Sequence, residues 1–429
     1  MLARLLAFSA ALATVAGCDK AESDNTTPTD VAQEEVAAAV DTNVSEDDVS
    51  SADAADAAAV DATPTPDTAG PTLTAEEVTA AGPHGVSWRT VTYVDTKRPT
   101  PANGDYLGAP DLALLTDVYY PSDEGSMEAP HLDGAPKAGP WPLVIYSHGY
   151  MSGRNENIPL YAYLASHGIV VAAPNFPLSN RSAEGGPTLA DVAHQPGDVS
   201  FLIDSLVADS AADGWFKGQL GTPLKVAAAG LSLGGMTTGL VSLYGDMRDK
   251  RLMAFAIMAG PLCLFPPDAY PEDAPPGLLA YGSVDRIAPY TENGRKAFDS
   301  LKGDRRLVTI TGGTHIGFAS LAAQFLGSLE DPDTIGCTSL NENLGGKKLS
   351  DIASQVGFGG DQTDAALCPE PCTNTGEVET INVTEQGELI VLTVGAFLRA
   401  QLNDDASLLS YLDGKLGADR PKVTVEHAF

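Results

Sequence analysis

From about residue 82 onward, short apolar runs alternate with segments whose apolar residues recur at helical spacing. Residues 114–120 are β-rich and stop at Pro121, and 142–147 run into the turn His148-Gly149. Residues 169–173 stop at Pro174, 225–229 are small and apolar, and 254–259, 277–281 and 307–311 each end in Gly or Pro. Between them 160–166 and 235–244 read as helices, and 197–208 places Val199, Leu202, Ile203, Leu206 and Val207 on one helical face. A further strong helix is predicted at 387–402. This alternation predicts βαβ units: a mostly parallel, doubly wound α/β sheet with helices on both faces. Right-handed crossovers bring the strand ends to one edge, where such sheets bind ligands. Residues 318–386 break the pattern. They hold three of the chain's cysteines, have weak periodicity and are expected to be a disulfide-containing insertion before the last helix, serving as a lid, a cleft wall or a remote ornament. No internal repeat is evident.

The chain has 429 residues, is 43% hydrophobic and carries a formal net charge of −32. That is enough for a sizeable core, and the acidic balance argues against nucleic acid and anionic lipid as partners. Residues 19–80 hold 16 Asp and Glu against one basic residue, Lys20. Such a stretch buries too little apolar surface to offset its ordering entropy, so 18–81 is expected to be a disordered acidic linker, with a weak Ala-rich helix near 31–40 as the alternative. Before it, Met1–Arg4 is basic and 5–16 is apolar but too short to span a bilayer. The ending Val15-Ala16-Gly17-Cys18 looks like a bacterial lipobox, which makes 1–17 a signal peptide and Cys18 a lipidation site. An ordinary signal peptide with an incidental Cys is the alternative. The expected location is the cell envelope, with membrane contact only through that anchor.

Four cysteines then remain: Cys263, Cys337, Cys368 and Cys372. An even number in an exported chain favours disulfides, in any of three pairings. Cys368-Pro-Glu-Pro-Cys372 has the wrong spacing for a common zinc knuckle and no nearby His, so no metal site is assigned.

The most informative stretch is Gly230-Leu231-Ser232-Leu233-Gly234. It follows a strand-like run and opens a helix-like one, as a G-x-S-x-G nucleophile elbow does, with Ser232 at the tip of a strained turn. A serine hydroxyl needs a base within reach and a third group to orient that base. Asp285, in Gly282-Ser283-Val284-Asp285-Arg286-Ile287-Ala288-Pro289, lies just past a strand and is the candidate acid; a turn or cap aspartate is the bland reading. Asp268 and Asp273 are runners-up in a Pro-rich loop. His315, in Gly312-Gly313-Thr314-His315, follows the strand-like run at 307–311 and is the candidate base. The other histidines fit less well: His84 and His131 precede the sheet edge, His167 and His194 flank helices, and His427 is expected to be exposed near the C-terminus. The oxyanion donors are expected to be the backbone N–H groups of Leu233 and Tyr150, the latter matching the loop that supplies the second donor in α/β-hydrolases. His148 is expected to buttress that loop.

With these residues the chain resembles the α/β-hydrolases grouped as predicted dienelactone hydrolases and platelet-activating-factor acetylhydrolase-like esterases, with cutinase-type polyester hydrolases as cousins. The resemblance spans roughly residues 82–317 and the helix at 387–402. Residues 82–86 with 93–98 look like the family's N-terminal strand pair, and Asp117-Val118-Tyr119-Tyr120-Pro121 like its "YP" strand. Val144 to Gly149 and 164–174 are similar to its oxyanion strand, helix and next strand. Gln195-Pro196-Gly197-Asp198 looks like its "RP-x-D" helix, with Gln195 where Arg is usual. Ser232 stands where dienelactone hydrolases have cysteine.

The resemblance implies a serine esterase or lipase acting through an acyl-enzyme on a small-molecule, lipid or polyester ester. A non-catalytic envelope binding lipoprotein and a peptidase on the same scaffold are the alternatives, since fold does not dictate function. No cofactor motif is evident. Acyl length, depending on loops 150–157, 175–195 and 261–276 and on the insertion, and oligomeric state stay open.

Overall fold

The computed structural model describes residues 73–265, 269–320, 326, 329–344, 368–374 and 376–429. The signal peptide, Cys18 and the acidic linker up to residue 72 lie outside the described residues. The described chain falls in one compact unit.

Its centre is a ten-stranded sheet. In chain order the strands are β1 (Gly85–Asp95), β2 (Leu112–Ser122), β3 (His131–Leu132), β4 (Leu143–Ser147), β5 (Val170–Asn175), β6 (Val226–Leu231), β7 (Leu252–Met258), β8 (Gly277–Gly282), β9 (Arg305–Ile310) and β10 (Val423–Ala428). The spatial order is β10-β9-β8-β7-β6-β4-β5-β2-β1-β3. From β9 across to β5 all neighbours are parallel, whereas β10, β2 and β1 join antiparallel. The parallel strands are buried on both faces, which is why they read as unbroken apolar runs.

Alternate residues feed two cores. On one face Val144, Tyr146, Ala227, Ala229, Leu278 and Val308 pack under α2 (Ile158–Ser166) and the C-terminal helices. On the other, Leu143, Ile145, Val226 and Ala228 pack against α3 (Gln195–Ala211). The helix after the serine turn, α4 (Leu233–Leu243), is buried along its whole length. Within the insertion, α5 (Asp333–Leu344) buries only Asp333. Val383–Ile390, a π turn Val391–Gly395 and Ala396–Asn403 run on as α6, followed by α7 (Ala406–Gly414).

Four expectations change. The linker boundary at residue 81 moves back: Ala75–Thr79 is a helix, α1, with a Thr74–Glu77 capping box, and Ala75 and Val78 are buried in the core. The N-terminal strand pair is one strand, β1, paired along its length with β2. The helix at 387–402 begins earlier, at Val383, and is not the last: α7 follows it, and then β10, which adds an antiparallel edge to β9. His427, on β10, is half-buried rather than exposed, its ring nitrogens 2.8 Å from Asp304 Oδ1 and 3.0 Å from Asp413 Oδ2.

The four spare cysteines form Cys263–Cys368 and Cys337–Cys372. The first ties the insertion to the loop after β7, and the second ties α5 to the segment at 368–374. A non-reduced proteolytic digest is expected to yield cross-linked peptides joining 263 to 368 and 337 to 372. Peptides joining 368 to 372 directly would contradict this pairing.

Candidate active site

Ser232 stands between β6 and α4 because two glycines let backbone meet backbone. A Cβ on Gly230 would lie 2.2 Å from Gly234 O, and one on Gly234 would lie 2.0 Å from Ser147 O. Any side chain there would force the helix off the sheet. The tightness leaves Ser232 at φ 55°, ψ −118°, a conformation costing about 1–3 kcal/mol that its surroundings must impose. Its N–H donates to Met258 O at 2.9 Å, and its carbonyl accepts from the Met236 N–H at 2.9 Å. The hydroxyl is thereby turned out at the carboxyl edge of the sheet.

The structure brings Ser232, His315 and Asp285 together. His315 Nε2 is 2.8 Å from Ser232 Oγ, and Nδ1 is 2.9 Å from Asp285 Oδ2. Asp285 follows β8, and its Oδ1 accepts from the Ile287 and Ala288 N–H groups at 2.8 and 2.7 Å. The bland turn-aspartate role and the histidine contact therefore coexist, one on each oxygen. The loop carrying His315 packs directly on the end of β8: a Cβ on Gly282 would meet Gly313 O at 2.1 Å. Burial alone would lower the His315 pKa. The Asp285 charge and hydrogen bond, with the Asp333 and Glu156 charges beyond, outweigh it and leave the pKa above its ordinary 6.5.

The two expected oxyanion donors face the same edge. Leu233 is the first residue of α4, where N–H groups have no intrahelical acceptor and the helix dipole is positive. The Tyr150 N–H has no acceptor among the described residues, although its neighbours do: Gly149 N–H donates to Glu156 Oε1 at 2.9 Å and Met151 N–H to Ser179 O at 2.9 Å. Met151 at φ 60° turns the loop between those anchors. His148 holds the loop as expected for a buttress. Its Nε2 accepts from the Phe176 N–H at 3.0 Å and its Nδ1–H donates to Gly149 O at 2.7 Å. Burial pushes its pKa down to about 4, so the ring is neutral and suits that tautomer.

The alternatives lie elsewhere. Asp273 is exposed and paired with Arg248, and Asp268 is outside the described residues. His84 stacks edge-on against Trp141, His131 sits on β3 and His167 binds Ala80 O.

Two buried carboxylates at the site were not singled out in the sequence. Glu156 holds the Gly149 N–H with Oε1 and accepts from Tyr146 OH at 2.8 Å with Oε2; burial pushes its pKa up to about 7. Asp333 accepts from backbone N–H groups on both the His315 and Asp285 loops. The signal available was faint: Glu156 lies in a polar Asn-Glu-Asn run just before α2, and Asp333 reads only as a helix-start aspartate.

The model of the platelet-activating factor acetylhydrolase, isoform II family matches residues 111–196, a stretch that runs from β2 into α3 and includes the Tyr150 loop. Among solved structures the chain is similar to a ferulic acid esterase from Streptomyces cinnamoneus, at 20% identity and a TM-score of 0.56, over 80% of this chain and 97% of that one. No curated protein matches. In fold the chain is an α/β-hydrolase, similar over residues 111–196 to the platelet-activating-factor acetylhydrolases and, in the course of its backbone, to that esterase.

Proposed function

We propose that this chain is a serine carboxylic-ester hydrolase. The observation that carries the reading is the unbroken hydrogen-bonded line from Asp285 through His315 to Ser232 Oγ, next to two backbone N–H groups that have no acceptor among the described residues. The similarity to platelet-activating-factor acetylhydrolases and to a ferulic acid esterase supports esters over other substrates.

In this reading Ser232 Oγ attacks the ester carbonyl carbon while its proton passes to His315 Nε2. Asp285 holds the ring with Nδ1 protonated and stabilises the imidazolium. The carbonyl oxygen, now negative, accepts from the Leu233 and Tyr150 N–H groups. As the tetrahedral species collapses, His315 gives its proton to the leaving alcohol, and an acyl-serine remains. Water, deprotonated by the same ring, then releases the acid and restores Ser232.

As part of the same reading we place the enzyme at the bacterial cell envelope, anchored through lipidated Cys18. The sequence of residues 1–18 motivates this, and the two disulfides support an oxidising compartment.

Purified protein is expected to turn over short p-nitrophenyl esters and to label with a fluorophosphonate. Ser232→Ala should abolish labelling and lower kcat by roughly 10³-fold or more without changing the melting temperature. A folded variant of full activity would remove Ser232 from its role. Turnover of amides at least as fast as matched esters would point to a peptidase, and absence of labelling in the parent protein to a binding protein. The neutral His315 ring is the active form and its pKa is raised, so kcat/KM is expected to fall away as pH drops through a value above 6.5. An acid limb centred well below 6.5 would contradict the charge arrangement around the ring. Cells expressing the full chain should incorporate labelled palmitate into it, and Cys18→Ser should lose the label; equal incorporation in both would dismiss the anchor.

A further inference from the structure

A carboxylate that takes no part in the reaction above lies behind the imidazole. Asp333, first residue of α5, is fully buried, and both its oxygens are engaged by backbone. Oδ2 accepts from the His315 N–H at 3.0 Å and from the Arg286 N–H at 3.1 Å, and Oδ1 accepts from the Ile316 N–H at 2.8 Å. One side chain from the insertion thus grips the base's own peptide and the peptide following the acid.

The grip is itself anchored. The Asp333 N–H donates to Asp331 Oδ1 at 3.1 Å, and Asp331 Oδ2 pairs with the Arg286 guanidinium at 2.6 Å. That guanidinium also donates to the carbonyls of Asn374 and Gly376, and the Arg286 carbonyl accepts from the Cys372 N–H at 2.7 Å. Cys372 is bonded to Cys337, four residues along α5 from Asp333. The circuit closes through covalent and charged links on every side.

We propose that Asp333 is a positioning residue for the triad: it fixes the His315 loop against the Asp285 loop and sets a second negative charge behind the imidazole. This rests on the serine-hydrolase reading. The charge matters at the step in which His315 takes the Ser232 proton, because the imidazolium then gains a second counter-charge without any further proton moving. The ionisable groups facing the ring are Asp285 from the loop after β8, Asp333 from α5 and Glu156 from the loop before α2. The Arg286 cation is spent on Asp331 and the two carbonyls. Burial pushes the Asp333 pKa up to about 6, so above that pH it is ionised and acts as described.

The test compares the full disulfide-bonded chain with Asp333→Asn and Asp333→Glu by ester kinetics across about pH 5 to 9, melting temperature and fluorophosphonate labelling. Asn keeps the shape, removes the charge and turns an amide donor toward a backbone N–H. Its kcat is expected to fall about 10- to 100-fold with KM little changed, and its acid limb to move to lower pH, since His315 loses a neighbour that raises its pKa. Glu restores the charge but not its place, so the limb should return while kcat stays at least about threefold low. A folded Asn variant with kcat within about twofold of the parent, or with kcat lost and the limb unmoved, overturns the proposal. Should the Asn variant fail to melt cooperatively, Asp333→Glu decides: parental kcat and limb overturn the proposal, and a parental limb with reduced kcat upholds it. Failure of the parent itself to label refutes the serine-hydrolase reading instead, so the two failures are told apart.

Discussion

The site depends on a steric constraint: α4 must come close enough to β4 and β6 for Gly234 to touch the Ser147 carbonyl. Backbone hydrogen bonds to Met258 O and from Met236 N–H then hold the turn, and the strained Ser232 conformation is sustained by packing that is already complete around it. The helix that imposes the strain also presents its unpaired first-turn N–H groups beside the hydroxyl. The strained serine and the helix N-terminus beside its hydroxyl are consequences of one close approach. Gly282 against Gly313 repeats the device two strands away, seating the histidine loop on the end of β8.

Electrostatics sets a second condition. Asp285, Asp333 and Glu156 all lie buried around one imidazole, and burying three carboxylates together is unfavourable unless each is compensated. The compensation is mostly backbone: two N–H donors for Asp285, three for Asp333 and one for Glu156, with the Tyr146 and Ser152 side chains as Glu156's further partners. Burial still outweighs these bonds at two of the carboxyls and pushes Glu156 up to about 7 and Asp333 up to about 6. The same bonds do mechanical work. Glu156 occupies the Gly149 N–H and so leaves the neighbouring Tyr150 N–H available, while Asp333 ties two loops that come from different strands.

Much of the sheet was legible in the sequence, because strands buried on both faces must be apolar throughout and must stop where the chain turns. The elbow was legible because only glycine satisfies the contact at Gly230 and Gly234, and Asp285 and His315 because each follows a strand-like run on a loop at the same edge. Elements held by other forces were not. β10 reads Val423-Thr424-Val425-Glu426-His427-Ala428, and as an edge strand half in water it lacks an unbroken apolar run. The Ala75–Thr79 helix is a single capped turn inside an acidic stretch, and composition outweighed two buried side chains. Asp333 and Glu156 carry no local mark, since their importance comes from backbone donors distant along the chain.

The insertion shows the difference most clearly. α5 fully buries only its first residue, a carboxylate, and its apolar contact, Gly336 against Ile287 and Ile316, is too small to hold a helix on a fold by area alone. Its placement must come from other terms: polar bonds at its N-terminus, the Arg286–Asp331 ion pair, and two disulfides that reduce the conformational freedom it loses on docking. Such an element leaves no periodicity to read, and cysteine spacing alone cannot say where it lands. It also follows that the insertion is no remote ornament. Beyond the contact of Gly336 with the Ile287 and Ile316 side chains, α5 is held by its polar contacts, and those are the peptides of His315, Ile316 and Arg286. The forces that keep α5 in place therefore act directly on the loops that hold the imidazole against the carboxylate.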